Sequence, residues 1–592
     1  MVAQKHVLAA TLLCALAGQL GAGASLHCAM RREISPCTCR REDSNTGAIL
    51  VLCHRIQAYE EIAKALTNKF SPETKIGLDI SHSQLPDIAD HSFRELGLSI
   101  TKLKLNNDNL SELPETAFTR LDLVDYFSVS DNELAEIPRH VARHLPHAKT
   151  LDLCRNKISK LTEDDFKDLQ ELEHLLIANN EISKIERHAL PKALKHIHLG
   201  INSLNSLNGA LRDLDELEWI FINANNLKSL ENELPTLAED EFAEAEVLAY
   251  LDISYNQIKS LNGSLRSLKS LRYLNLTYNA LTEFSLQEIK GLKKLDVIDF
   301  SHNKINHITG NMENLVDVET KVLELRLDHN HLVTLGGALI GFHGLMRLNL
   351  SNNQLQQVSS DDLNGLEDLK VLDLSFNDIA TLEETSKSFL PSLEELIAHH
   401  NNISALDKDF HGLPSLCMAD LSYNKIRSIN YDLVSKTRCT INGVPSKLKI
   451  YLQDNPVLCD ERMNEMVMML ENLNARVSGS STCLGTQTAA PVLSMRALSD
   501  GAPRQDAAVI VVAHLLPHDD QRPLPLPLPP AFRRVGAIIG HVLPEGGLPV
   551  VVDPPVTLPP TTNVVVKWPD DQHPHPHPLA DLRLRDLNAP AQ

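Results

Sequence analysis

The asparagine that closes Leu151-Asp152-Leu153-Cys154-Arg155-Asn156 returns about every 24 residues through most of the chain, and few folds tolerate such a period. The register position falls at Ser83, Asp108, Asn132, Asn156, Asn180, Asn202, Asn225, Asn256, Asn279, Asn303, Asn330, Asn353, Asn377, Asn401, Asn424 and Asn455. That is sixteen turns, fourteen of them with asparagine. Within a turn, apolar residues stand five and three before the register position and two after it, as in Leu274, Leu276, Asn279 and Leu281, or Leu348, Leu350, Asn353 and Leu355. Alternation with a period of two predicts a strand whose leucines point inward and whose intervening residues face solvent. An amide both donates and accepts, so the asparagines can satisfy backbone groups that the bend takes out of the sheet ladder.

These features identify a leucine-rich-repeat pattern and predict an α/β solenoid, a horseshoe with a parallel β-sheet on its concave face. Phenylalanines ten residues past the register, at Phe93, Phe118 and Phe166, are expected to fill the convex side of the core. Steps of 31 residues at 225 to 256 and 424 to 455, and of 27 at 303 to 330, predict insertions on the convex side or the edges. A turn cannot bury its apolar strip alone, so both ends need covers. Ahead of the first turn stand Cys28, Cys37, Cys39 and Cys53; behind the last come Asn455-Pro456-Val457-Leu458-Cys459-Asp460, a helical pattern through Met463, Met466, Val467, Leu470 and Leu473, and Cys483. Over residues 28 to 483 these resemble the cysteine caps of extracellular leucine-rich-repeat proteins. The resemblance implies pairing within the amino-terminal cap and between Cys459 and Cys483, although Glu461 stands where that family carries a further cysteine.

The expected organisation is a signal peptide over 1–24, an amino-terminal cap over 25–75, the repeats over 76–458, a carboxy-terminal cap over 459–483 and a proline-rich disordered tail over 484–592. The apolar run Val7 to Leu16 is too short to span a bilayer and precedes Ala22-Gly23-Ala24, a small-residue cleavage pattern. No later stretch reaches the ~18 apolar residues of a membrane helix, so a secreted protein without a membrane span is predicted. The tail holds 19 of the chain's 31 prolines and the alternation His573-Pro574-His575-Pro576-His577-Pro578. Sequons at Asn109, Asn262, Asn275, Asn349 and Asn402 suit that location, with Asn275 and Asn349 on outward strand positions.

With the signal segment removed nine cysteines remain, an odd count that leaves a thiol free or bonded to another chain. Cys154 can serve as a small strand residue. Cys417 and Cys439 either join each other or leave Cys439 to link two chains into an oligomer. Binding is assigned to outward side chains. Tyr255, Tyr278, His302, His329, Asn352, Phe376, His400 and Tyr423 precede the register position in eight successive turns, and Trp219, Phe221, Tyr250 and Tyr273 add aromatics on the strands. Such side chains give large contact area at small entropic cost. Asp152, Asp252, Asp299, Asp373 and Asp420, set between core leucines, join a net charge of −21 to make the face acidic and a poor host for nucleic acid. The run from Glu231 to Glu246 reads as a solvated insertion.

No G-x-S-x-G, H-E-x-x-H or phosphate loop is present, and no catalytic residue, cofactor or metal is assigned. The expected partner is an extracellular protein. The signal segment, repeats, caps and odd cysteine are similar to the secreted leucine-rich-repeat immune proteins of insects, which implies a disulfide-linked assembly holding complement-like thioester proteins. The proline-rich tail departs from their long coiled coils. The alternative is a soluble Toll-like or cell-adhesion-type ectodomain, acting as receptor decoy or matrix binder; a third reading, matrix binding like the small leucine-rich proteoglycans, fits the amino cap poorly, because this chain's cysteine spacing is wider than theirs.

Overall fold

The computed structural model describes residues 28, 32–41, 48–228, 242–310, 321–457 and 461–479. The signal segment, Cys459, Cys483, residues 484–592 and most of the acidic run lie outside them.

Each turn contributes one short strand, and the strands stack in parallel at a constant register. Ile197 lies beside Ile220, Leu251, Leu274 and Ile298 in successive strands, so the inward leucine positions form one continuous row. The sheet has nineteen strands, one for each of the sixteen turns and three from the ends. Thr38–Arg41 pairs antiparallel with Ile49–His54, which runs parallel to Lys75–Ser81, the strand of the first turn. At the other end Ala475–Ser478 pairs with Leu448–Tyr451, the strand of the last turn. The core is a leucine column along the length of the stack, with Phe93, Phe118 and Phe166 buried opposite the sheet as their spacing predicts.

Between strand and return loop runs the amide column. Asn156 is typical: its Nδ2 donates to the carbonyls of Leu153 in its own turn, 3.1 Å, and Val129 in the preceding turn, 3.0 Å, while its Oδ1 accepts from the N–H of Leu134 at 3.0 Å. Asn303 repeats the pattern with Phe300, Leu276 and Leu281. Every amide therefore clamps two turns, and burial makes the clamp strong because no water competes. Turning the chain there requires the left-handed region at the residue before the register position in all sixteen turns, including His82 at φ 54° and Ile201 at φ 55°.

The amino-terminal end is sealed by disulfides within its cap, as the resemblance implied, while the Cys459–Cys483 pair expected at the other end lies outside the described residues. Cys28 bonds Cys39 and Cys37 bonds Cys53, and the helix Tyr59–Leu66 turns Tyr59, Ile62, Ala65 and Leu66 onto the first turn. At the far end the helix Glu461–Asn472 buries Leu470. The long step from 424 to 455 holds a hairpin, Thr440–Ile441 with Val444–Pro445, closed by Asn442-Gly443 at φ 51° and 77°. Cys439 at the base of that hairpin is bonded to Cys417. Of the two alternatives open for these cysteines the structure therefore takes the bond within the chain, because adjacent turns bring their Cα atoms to 4.8 Å; an interchain link through Cys439 is not what it holds. Cys154 is buried with its thiol unbonded, and burial raises its pKa well above that of a free thiol.

Candidate protein-binding face

Because the strands are in register, residues six before the asparagine fall in one line. His174, His196, Trp219, Tyr250 and Tyr273 are aligned across five adjacent strands. Their rings touch in sequence: His174 and His196 at 4.5 Å between centroids, His196 and Trp219 at 5.5 Å, Trp219 and Tyr250 stacked at 5.2 Å, Tyr250 and Tyr273 stacked at 4.4 Å. A second line, four before the asparagine, adds His198 and Phe221 at 5.4 Å, with Phe221 5.0 Å from Tyr250. The result is one contiguous aromatic patch of half-buried rings, except that His198 is more enclosed. The three histidines were not among the predicted binding residues; the signal that finds them is their offset from the register asparagine.

Burial sets the charge of this patch. His196 and His198 are pushed down to about 4, chiefly by desolvation, and His174 is lowered by the same cause. All three imidazoles are neutral at physiological pH, so the patch is an uncharged surface. His174 Nδ1 and His196 Nδ1 lie 2.9 Å apart, a hydrogen bond that needs one protonated and one bare nitrogen.

The left-handed position makes a separate stripe. Tyr255, Tyr278, His302 and His329 stack in an unbroken ladder with centroids 4.4, 4.0 and 3.9 Å apart. After Asn352, Phe376, His400 and Tyr423 form a second ladder at 4.2 and 4.3 Å. Tyr255, Phe376 and Tyr423 keep 40 to 44% of their surface exposed, enough to meet a partner. The predicted residues thus divide into two groups, the patch with Trp219, Phe221, Tyr250 and Tyr273, and the stripe with the rest.

The aspartates between core leucines behave otherwise than expected. Asp373 Oδ1 accepts from the N–H of Ser375 at 2.9 Å and from its hydroxyl at 2.6 Å; Asp152, Asp252, Asp299 and Asp420 accept in the same way from the residue two further on. These carboxylates close local turns rather than stand free on the surface. Asp152 and Asp252 are buried deeply enough that desolvation raises their pKa. The acidity read from the sequence therefore overstates the charge this face offers. Asn275 and Asn349 occupy the same place and accept from Thr277 and Ser351, each at 3.0 Å.

Comparison with known proteins agrees with this geometry. The Leucine rich repeat family model matches residues 125–182, 146–192, 170–227, 231–281, 320–379, 343–403 and 368–426. With the parallel sheet and amide column, these matches show a solenoid of leucine-rich repeats. In particular it resembles Toll ectodomains and lumican. Human Toll-like receptor 3 is 28% identical over 285 residues, 41% of this chain and 31% of the receptor, and rat lumican is 27% identical over 266 residues, 41% of this chain and 74% of lumican. The chain therefore matches less than a third of the receptor's length. The solved Toll chain of the Drosophila Toll–Spatzle complex has the same fold, with a TM-score of 0.50 and 18% identity over 73% of this chain and 68% of that one. A leucine-rich-repeat protein of Leptospira interrogans gives a TM-score of 0.50 at 23% identity, covering 71% of this chain and 91% of that one. Among the described residues no helix is long and apolar enough to cross a membrane.

Proposed function

We propose that this chain is a secreted scaffold that captures an extracellular protein on the aromatic patch from His174 to Tyr273, within an innate-immune complex. The observation that carries the reading is the contact chain of His174, His196, Trp219, Tyr250 and Tyr273 across five strands. A leucine-rich-repeat sheet needs only its inward residues to fold. Outward rings that meet solvent side by side provide the rigid, desolvated centre on which interfaces concentrate their energy. Neutral imidazoles beside them favour an apolar or aromatic segment of the partner over a phosphate. The likeness to Toll-like receptor 3 supports ligand capture outside the cell, and the cap disulfides suit an oxidising compartment.

The same likeness supports the second reading, a soluble Toll-like or cell-adhesion-type ectodomain acting as decoy or matrix binder. Two sets of variants test the face. Trp219→Ala with Tyr250→Ala should weaken the partner by about 2 kcal/mol or more, roughly 30-fold in Kd. Tyr278→Ala with Phe376→Ala tests the stripe separately. Quantitative mass spectrometry of proteins captured from extracellular fluid provides the partner, and calorimetry the affinity. Equal capture by the wild-type chain and the Trp219/Tyr250 variant would remove the patch from the interface.

A further inference from the structure

On the stripe, three metal-ligand side chains meet where one turn passes to the next. His302 and His329 hold the same position in successive turns, both left-handed at φ 52° and 53°, so their rings project the same way and lie 3.9 Å apart. Asp328 precedes His329 and turns its carboxylate to the same spot. One ligand atom from each of the three lies within 4.8 Å of the others, a grouping that occurs once among the described residues.

The carboxylate is held in place from behind. Asn349, on the strand of the next turn, donates from Nδ2 to Asp328 Oδ1 at 2.9 Å, which leaves Oδ2 directed at His329 Nδ1, 3.0 Å away. Arg326, two residues before Asp328, is engaged by Asp299 at 3.2 Å and Glu324 at 2.6 Å. His302 is half-buried and His329 exposed, so the site opens to solvent on one side.

We propose that His302, Asp328 and His329 bind a divalent transition-metal ion of the zinc type, with the remaining coordination positions open to solvent. Two imidazoles and one carboxylate form a donor set suited to zinc, copper or nickel and poorly suited to calcium or magnesium, which take oxygen ligands. Asn349 acts as the outer partner that fixes the carboxylate, a role whose loss costs ~10-fold or more in metal affinity. The site does not depend on whether the sheet face captures a protein.

Zinc chloride titrated into the full chain by calorimetry tests the site. The chain should carry alanine at His573, His575 and His577, because alternating histidines also bind metals weakly. One equivalent of zinc is expected. His302→Ala and His329→Ala should each weaken it at least ~10-fold, with Asp328→Asn close behind and Asn349→Ala to a lesser degree. His307→Ala, on an exposed residue paired with Glu283, should leave it unchanged. Matching circular dichroism spectra without metal establish that the variants fold. Absence of zinc binding by the folded chain, or binding that survives both histidine substitutions, overturns the proposal.

Discussion

Asp108 sits where fourteen other turns place an amide, and the exchange of one atom group is felt. Its Oδ1 accepts from the N–H of Ser83 at 2.7 Å, as an asparagine oxygen would, but Oδ2 is buried without a donor. An asparagine would direct an NH2 group there, toward strand carbonyls. A carboxylate left there without a donor is poorly solvated, so its pKa is pushed up to about 7, with desolvation as the main cause. The sign follows from linkage. The folded chain holds the proton more tightly than the unfolded one, whose carboxyl titrates near 4, so stability is highest below ~pH 4 on account of this group and falls as pH rises toward 7. Asp108→Asn should stabilise the protein by about 1–3 kcal/mol at pH 8 and by less at pH 5. Urea unfolding at the two values checks this, and an equal gain at both would place the effect elsewhere.

At the scale of one element, the last long step shows how an insertion is tethered. The hairpin Thr440–Pro445 carries Ile441 and Val444 exposed at its tip and packs little apolar surface of its own. The bond between Cys417 and Cys439, 22 residues apart, restricts the unfolded chain and anchors the hairpin's base to the preceding turn. Replacing both with serine should cost about 3 kcal/mol, read as a lower urea midpoint, with faster hydrogen exchange between Thr437 and Ser446. Unchanged exchange in that segment would mean the hairpin is held by its backbone bonds, such as Arg438 N–H to Pro414 O at 2.7 Å.

Strands and their inward face were legible because alternation and register are written in the sequence. The aromatic patch was legible in part: Trp219, Tyr250 and Tyr273 announce themselves by size, whereas His174 and His196 become visible only when every turn is aligned on its asparagine. The turn-closing role of the aspartates was not legible, since a carboxylate on an outward strand position looks solvated until the N–H two residues on turns back to it. The same is true of the left-handed stripe, where tyrosine, histidine and phenylalanine adopt a conformation that composition assigns to glycine and asparagine.

Over the whole stack, stability is shared between neighbours and passes along the amide column. Asn303→Ala in the middle of the stack removes a buried clamp on two turns, leaving the carbonyls of Leu276 and Phe300 and the N–H of Leu281 without that partner. A loss of about 2–4 kcal/mol is expected. Because contacts are nearest-neighbour, the more telling result is a second transition in thermal or urea unfolding as the two halves separate. The same change at Asn132, near one end, should lower the midpoint without splitting the curve. A single unsplit transition for Asn303→Ala would mean that the leucine core alone couples the turns.

A row of parallel strands ends, by its nature, in two open ladders of backbone donors and acceptors, each a template for another copy. Here the outermost described strands, Thr38–Arg41 and Ala475–Ser478, are only four residues long and place Arg40 and Arg476 exposed along their edges. Positive charge on so brief a rim disfavours end-to-end polymerisation into fibrils, and a molecule built by repetition stops adding to itself.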